Sequence, residues 1–214
     1  MKHSPWIRKI DSLLKDYSSI TSIKVKRLYL KTIFVFDIVK VIVHWDRFTN
    51  EVCRAMTTTG LLLVSSGLKG HPNLIALGWG LIGRLCGKPY FLVAVAKSRY
   101  THKLINESGE FTVNIPKQSM KDTVTYCGTT SGRDHDKFKE CNITALPGKK
   151  VKSHIIEECI VHYECKATLH AVPMPIKLQS ELSERAFKQI KYHTVFFGEI
   201  LTVYADEDIE QQIV

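Results

Sequence analysis

The stretch "YFLVAVAKSRYTHKLINESGEFTVNIP" covers residues 90–116 and contains three patterns in succession. Its first seven residues are apolar enough for a buried strand, and its last seven form a second strand that ends in proline. Between them, residues 101–109 predict one or two helical turns that the final glycine closes. The polar run from Lys97 to Lys103 therefore lies where a core strand ends and a helix begins.

The remaining sequence predicts four further strands and two further short helices. Residues 159–171 alternate between apolar and polar side chains, so we expect the face with Leu169 to be buried and the face with His162 and Glu164 to be exposed. The strands are expected at residues 60–67, 74–80, 159–171 and 193–206, and the helices at residues 119–128 and 134–141. Ser119 is the expected N-cap of the first of these helices, and Gly128 its end. Strands this numerous favour a mainly β domain that closes, or nearly closes, into a barrel.

Composition limits the partners of this chain. Its net charge is +9, but residues 1–50 hold ten Lys/Arg and only four Asp/Glu, so the rest is close to balance. The main domain therefore gives no argument for a nucleic-acid partner. No run reaches the ~18 apolar residues of a membrane span. The six cysteines lack metal-ligand spacing, so we expect no metal site and reduced thiols in a cytoplasmic protein.

The N-terminal residues differ from the rest of the chain. Residues 1–45 are basic, contain no glycine, and include one proline, Pro5. A short amphipathic helix is expected near Ser4, its N-cap. We predict an N-terminal arm of uncertain structure over residues 1–45 and one domain over residues 46–214. The alternative is that the true start of the chain lies nearer Trp45.

The polar run after the first core strand suits an anion. It includes two cations and two hydroxyl groups, at Lys97, Ser98, Arg99 and Thr101. At the N-terminus of a helix, free backbone N–H groups and the helix dipole favour negative charge. A phosphate or another oxyanion is therefore a candidate ligand. The alternative is a capped helix with a solvated basic turn.

A second motif, "HPNLIALGWG", covers residues 71–80 and places glycines on both sides of Trp79. Glycines in a strand let the backbone come close to another group, such as a flat ring. The amide of Asn73 suits the edge of a heteroaromatic ring, since it offers both a donor and an acceptor. The alternative is core packing by Trp79, with Asn73 as a turn residue.

A third motif, "YCGTTSGRDHDKF", covers residues 126–138 and contains a flexible turn at Ser131 and Gly132. Such a turn can expose backbone N–H groups, and Arg133 and Lys137 add positive charge. The spacing fits neither a Walker A loop nor a dinucleotide fingerprint. The alternative is an ordinary helix-capping loop.

Together these motifs resemble the flavin reductase-like proteins of the FMN-binding split-barrel superfamily, close to the flavoredoxins. The resemblance extends from about Thr58 to Asp206, and its motifs occur in the order of the family. They are Asn73 with Trp79 six residues later, "KSRYTHKLI", "SGEFTVNIP", "YCGTTSGRDHDKF", "IEEC" and "HTVFFGEI". The resemblance implies a six-stranded split barrel that forms a homodimer, with FMN near the subunit interface.

The resemblance also implies which residues hold FMN. One group would line the isoalloxazine ring, a second would hold the phosphate and ribityl chain, and a third would close over the flavin. In that order, the groups are Asn73, Ala76 and Trp79; Ser98, Arg99, Tyr100 and Thr101; and Ser131, Gly132 and Lys137. His193, on the last strand, would approach the ring and is the candidate catalytic residue.

The sequence departs from the family pattern in two places. Family members usually carry a Ser or Asp with a Pro-Pro pair before the third strand, whereas "GRLCGKPY" at residues 83–90 has only Pro89. The loop near the flavin face therefore differs from that of the family. The family also lacks residues 1–45, so nothing carries over to the arm.

By this resemblance the protein would be an FMN-binding oxidoreductase. Electrons would pass from NADH or NADPH through FMN to free flavin, ferric iron or a protein acceptor. A catalytic acid or base is not required for the hydride step, because the cofactor carries the redox chemistry. The alternative is a non-enzymatic electron carrier of the flavoredoxin type that docks to a redox partner protein. A third hypothesis is a protein that binds nucleic acid or a membrane surface through its arm.

Overall fold

The computed structural model describes residues 40–171, 193–206 and 209, which are built mainly from antiparallel strands. The strands are β1 (Lys40–Ile42), β2 (Leu61–Ser65), β3 (Asn73–Leu77), β4 (Gly80–Leu85), β5 (Lys88–Ala96), β6 (Glu110–Ile115), β7 (Ala145–Pro147), β8 (His154–Ile156), β9 (Val161–Ala171) and β10 (His193–Asp206). The helices are α1 (Thr49–Thr57), α2 (Tyr100–Ser108), α3 (Lys121–Thr129) and α4 (Lys137–Glu140). The predicted mainly β fold with short helices is confirmed. Within the described ranges, no helix has the length and apolar character needed to cross a membrane.

A two-residue link joins the two edge strands of the sheet. Its strands follow the order β3-β2-β6-β9-β10-β5-β4, with β1 paired to β10. The first and last strands of this order, β3 and β4, are consecutive in the chain and joined by Gly78 and Trp79. The Trp79 carbonyl accepts a hydrogen bond of 3.0 Å from the Ala94 N–H, which holds the link against β5. A Cβ on Gly80 would lie 2.8 Å from the Leu92 carbonyl oxygen, so this close approach requires glycine.

Strand β2 is buried on both faces because two hydrophobic cores pack against it. Leu61 and Leu63 belong to the main core, together with residues of β5, β6, β9 and β10. Leu62 and Val64 belong to a second core, which includes residues of α3 and α4. Burying a side chain of this size contributes about 1.5–3 kcal/mol. The second core therefore fixes α3 and α4, and the loop between them, on the outside of the sheet.

The helices follow the predictions in part. α2 lies within one residue of its predicted bounds, and Gly109 ends it in the left-handed conformation with φ 66°. α3 differs, since Ser119 lies in a 3-10 turn before it and no described side chain caps its start. Gly128 lies inside α3, where a Cβ would be 3.1 Å from the Cβ of Ala76. The role of Gly128 is therefore close packing of α3 on β3, not the ending of the helix.

The burial of β9 differs from the prediction of one buried face. His162 and Glu164, expected to face solvent, are fully buried, whereas Leu169, expected inside, is 58% exposed. The Glu164 carboxylate accepts hydrogen bonds from the backbone N–H groups of residues 149–151 at 2.5–2.9 Å and from the Tyr204 hydroxyl at 2.8 Å. These partners offset the cost of burying the carboxylate. The loop at residues 149–151 lies outside the strand, 13–15 positions before Glu164, so alternation along the strand gives no sign of it.

One strand boundary and the predicted start of the domain also differ from the structure. The strand expected at residues 74–80 ends at Leu77, and a further strand, β4, forms a hairpin with β5. The hairpin turns at Cys86 and Gly87, which have φ angles of 49° and 77°. At the other end of the domain, β1 pairs with the end of β10, so the sheet includes residues 40–42, which lie before the predicted boundary at residue 46. The helix expected near Ser4 lies outside the described residues.

Candidate functional site

Strand register brings the last strand beside the basic turn. His193, the first residue of β10, is paired with Ala96, the last residue of β5. From Ala96 the chain passes through the exposed residues 97–99 into α2. The candidate catalytic histidine and the basic turn are therefore neighbours at one end of the barrel.

The basic turn has the features of an anion site. Arg99 is the N-cap of α2, and no side chain in the described ranges caps this helix end. The first backbone N–H groups of a helix lack intrahelical partners, and the dipole adds positive potential there. Lys97, Ser98 and Arg99 are exposed around it. Cations, a hydroxyl group and helix amides together suit a phosphate.

Asn73 joins all three predicted motifs. Its Nδ2 donates a hydrogen bond of 2.7 Å to Oγ1 of Thr101, whose side chain is fully buried. Its Oδ1 lies against Gly132, where a Cβ would be only 1.7 Å away. No side chain fits at that distance, so the loop between α3 and α4 reaches Asn73 only because residue 132 is glycine.

Arg133 lies across the basic turn. Its Nη1 donates a hydrogen bond of 2.9 Å to the Ser98 carbonyl, and its guanidinium carbon lies 5.5 Å from the centre of the Tyr100 ring. The second contact has cation–π geometry. The loop turns at Ser131, whose carbonyl accepts the His135 N–H at 3.2 Å. The sequence indicated the charge of Arg133 but not these contacts.

Trp79 and His193 form one aromatic unit. Their rings stack with centres 4.7 Å apart and planes inclined by 29°. Trp79 is 42% exposed, so part of its indole remains a flat apolar surface. Both residues were predicted to approach the flavin ring, and the structure brings them together.

Lys137 and Ala76, which were predicted to contact the flavin, both contact α3 in the structure. Lys137 is buried, and its Nζ donates hydrogen bonds of 2.9 Å to the carbonyls of Leu74 and Cys127. Burial lowers the pKa of Lys137, and the charge of Arg99 adds to this effect. Lys137 therefore joins α4 to β3 and α3, a structural role that the sequence did not predict. Contacts of Lys137 and Ala76 with flavin stay predictions.

His102 is a site residue that the sequence did not single out. Its Nε2 is hydrogen-bonded to Oγ1 of Thr194 at 2.8 Å, and its Nδ1 lies 3.1 Å from Nδ2 of Asn106. These bonds fix α2 against β10 beside the candidate catalytic histidine. Burial lowers the pKa of His102, and the charges of Lys97 and His170 lower it further. The only signal in the sequence was a histidine in the first turn of the predicted helix.

The fold and the site define the class of protein. A barrel whose basic helix end lies beside an aromatic wall suits a flavin nucleotide, which pairs a phosphate with a large flat ring. The chain belongs to the flavin reductase-like domain family, whose sequence pattern matches residues 54–214. The resemblance to that family in the sequence is thereby confirmed.

Three known proteins show the extent of the similarity. An uncharacterised protein of Archaeoglobus fulgidus is 35% identical over 144 residues, which cover 66% of this chain and 69% of that protein. A flavoredoxin of Methanosarcina acetivorans is 31% identical with a TM-score of 0.55, over 70% of this chain and 69% of that one. A split-barrel structure of flavin reductase type from Shewanella frigidimarina is 16% identical with a TM-score of 0.58, over 74% of each chain. This last likeness concerns the fold alone, and it confirms the predicted split barrel.

Proposed function

We propose that the site binds FMN. The observation that carries this proposal is the meeting of the three motifs at Asn73, which joins the basic turn to the loop at Gly132. The helix end with Ser98 and Arg99 would hold the 5′-phosphate, where each charge-assisted hydrogen bond contributes about 1.5–3 kcal/mol. Tyr100 would lie along the ribityl chain. The uncapped helix end and the exposed part of Trp79 are features of this chain that fit such a ligand.

The ring side of the site would be formed by the stacked pair of Trp79 and His193. A large planar ring requires a flat apolar wall, and the exposed part of Trp79 offers one. The backbone around Ser131 and Gly132 would cover the ring and exclude water. His193 would hydrogen-bond flavin or nicotinamide through its imidazole, as the catalytic residue. FMN itself supplies the redox chemistry, while these residues bind and orient it.

We infer that the protein is an oxidoreductase that takes electrons from NADH or NADPH. Its acceptor would be free flavin, ferric iron or a protein. The experiment has two parts: release of FMN from the purified protein on denaturation, and anaerobic mixing of the protein with each nucleotide. Bleaching of the flavin absorbance by NADH or NADPH supports the reductase. A colourless protein that takes up no added FMN contradicts the whole proposal.

A matched pair of variants tests the phosphate contact directly. Arg99→Ala should weaken FMN binding about 10- to 100-fold, because one charge-assisted contact is lost. Riboflavin, which lacks the phosphate, should bind parent and variant alike. Lys103→Ala is the control, since Lys103 is exposed on the same helix and pairs with Glu107 at 3.7 Å. Equal FMN affinity in parent and Arg99→Ala would leave the basic turn as an ordinary helix start.

A flavin-bound electron carrier is the second candidate function. It is favoured by the 31% identity to a flavoredoxin over 70% of this chain. Here a redox partner protein, not a nicotinamide nucleotide, would deliver the electrons. A protein that holds FMN but is bleached by neither nucleotide supports the carrier over the reductase.

We propose that the protein forms a homodimer through an apolar row on the outer face of the sheet. Leu81, Leu92, Phe197 and Leu169 lie directly opposite one another on four neighbouring strands. Residues opposite one another in antiparallel strands share a face, and Leu81 and Leu169 are 67% and 58% exposed. Such a patch favours association. Leu169→Lys should convert the dimer to a monomer in sedimentation experiments, whereas a parent protein that is itself monomeric would contradict the proposal.

We also infer a cytoplasmic location. The six cysteines are all in the described residues and all are free thiols, and Cys53 and Cys86 are exposed. Exposed thiols persist most readily in a reducing compartment. Localisation of a tagged chain in cell fractions tests this inference.

A further inference from the structure

We propose that Arg133 makes the site selective for FMN over flavin adenine dinucleotide (FAD), by closing the phosphate end of the site. This inference rests on the proposed flavin site and adds a determinant of its specificity. The observation that carries it is the hydrogen bond from Arg133 Nη1 to the Ser98 carbonyl, 2.9 Å long, which joins the loop between α3 and α4 to the basic turn.

The guanidinium is held on two sides. One N–H is directed at the carbonyl of Ser98, and the guanidinium carbon lies 5.5 Å from the centre of the Tyr100 ring. A guanidinium has five N–H donors in a rigid fork that matches the geometry of a phosphate. Arg133 therefore adds a second guanidinium to a turn that already contains Arg99. Both side chains are exposed, so they border the turn on its solvent side.

The loop that carries Arg133 is fastened at both ends. At its start, Gly132 packs against the amide of Asn73, where no Cβ fits. Near its other end, Nδ1 of His135 lies 3.1 Å from the carboxylate of Glu140 in α4. The same carboxylate accepts a hydrogen bond from the Tyr126 hydroxyl of α3. A loop fixed in this way keeps the guanidinium at the turn before a ligand arrives, which lowers the entropy cost of binding.

The selectivity for FMN over FAD follows from the difference between their phosphate groups. FMN ends in a phosphate monoester, which carries a charge of about −1.5 to −2 and three terminal oxygens. Each phosphate of FAD has about two terminal oxygens instead of three and a charge of about −1, and the FAD chain continues to adenosine. FAD would therefore lose contacts with the guanidinium and would also have to displace the bridge to Ser98. A site that gains contacts to one ligand and obstructs the other discriminates by both effects.

The experiment is a fluorescence titration of the full chain, freed of bound flavin, with FMN, FAD and riboflavin. The parent should bind FMN at least about 10-fold more tightly than FAD, the effect of one charge-assisted contact. Arg133→Ala should weaken FMN binding about 10-fold and bring the FAD to FMN ratio of dissociation constants towards one. Arg133→Lys should give an intermediate ratio, because it keeps the charge and lacks the fork. The control Lys103→Ala should keep the parental ratio.

The outcomes separate this inference from the proposed function. A parent that binds FMN and FAD equally, or an Arg133→Ala ratio equal to that of the parent, overturns the selectivity and leaves the flavin site standing. A parent that binds none of the three flavins overturns both. If thermal unfolding shows that Arg133→Ala does not fold, Arg133→Lys decides, and a parental ratio in it overturns the role of the fork.

Discussion

Replacement of Gly132 by alanine tests the meeting point of the three motifs. The new Cβ would lie 1.7 Å from Oδ1 of Asn73, whereas real Cβ atoms essentially never approach another heavy atom closer than 3.0 Å. The two groups must therefore separate by more than about 1.3 Å. A shift of that size breaks the 2.7 Å bond from Asn73 to Thr101, and both of these side chains are buried.

The expected loss of stability in Gly132→Ala is the sum of two costs. Leaving buried polar groups without partners costs about 1–3 kcal/mol, and forcing an extra carbon into a packed site costs about 1–3 kcal/mol. We therefore expect Gly132→Ala to lower the free energy of unfolding by about 2–6 kcal/mol if the loop stays in place, the sum of those ranges. If the loop moves away instead, the loss should appear as weaker FMN binding.

The assay combines urea unfolding with FMN titration, because the cost can appear in either measurement. The control is Gly83→Ala, since a Cβ at that glycine meets nothing within 4 Å. It should cost little in both measurements. Parental stability together with parental FMN affinity in Gly132→Ala would refute the close contact and the role assigned to Asn73.

Three further predictions concern the ring side, the buried histidine and the first strand. His193→Ala should slow reduction of bound flavin by NADH or NADPH more than it weakens FMN binding, lowering kcat and kcat/KM together. Trp79→Ala should instead lower FMN occupancy, because the stacked wall is lost. Burial lowers the pKa of His162 well below its ordinary value, so below pH about 6.5 the unfolded chain gains a proton that the folded chain resists. The free energy of unfolding should therefore fall as the pH drops below about 6.5, and in His162→Gln it should fall less steeply. A chain beginning at residue 40 should fold, whereas one beginning at residue 46 should lose about 3–5 kcal/mol, because the buried carboxylate of Asp206 loses its 2.7 Å bridge to Lys40.

Controls separate these effects from general damage. Circular dichroism of each variant reports whether the fold is intact. Parental reduction rates in His193→Ala would remove that residue from the site. Urea unfolding at pH about 7.5 and about 5 checks the buried histidine, and an unchanged pH slope in His162→Gln would contradict its role. Equal stability of the two shortened chains would show that β1 adds nothing to the barrel.

Local patterns in the sequence were sufficient to predict six of the strands and three of the helices, but not β1, β4, β7, β8 or α1. Apolar runs bounded by glycine and proline predicted β2, β5, β6 and β10, because strand formation depends on neighbouring residues. Gly109 predicted the end of α2 for the same reason, since only the local backbone decides a left-handed residue. The basic turn was visible as a polar run that follows a core strand. Motif order was enough to indicate the family, since a family pattern is itself a property of sequence.

The tertiary structure alone decided which side chains meet and which are covered. Arg133 and Ser98 are 35 positions apart, and Asn73 and Thr101 are 28 apart, so their contacts exist only after the barrel has closed. The same holds for His162 and Glu164, which alternate with apolar residues as an exposed face would, yet are buried. Periodicity reports which residues share a face of a strand, but not what later packs on that face. Burial and long-range hydrogen bonds depend on elements that come together from distant parts of the chain, and the energy of those contacts is absent from any local pattern.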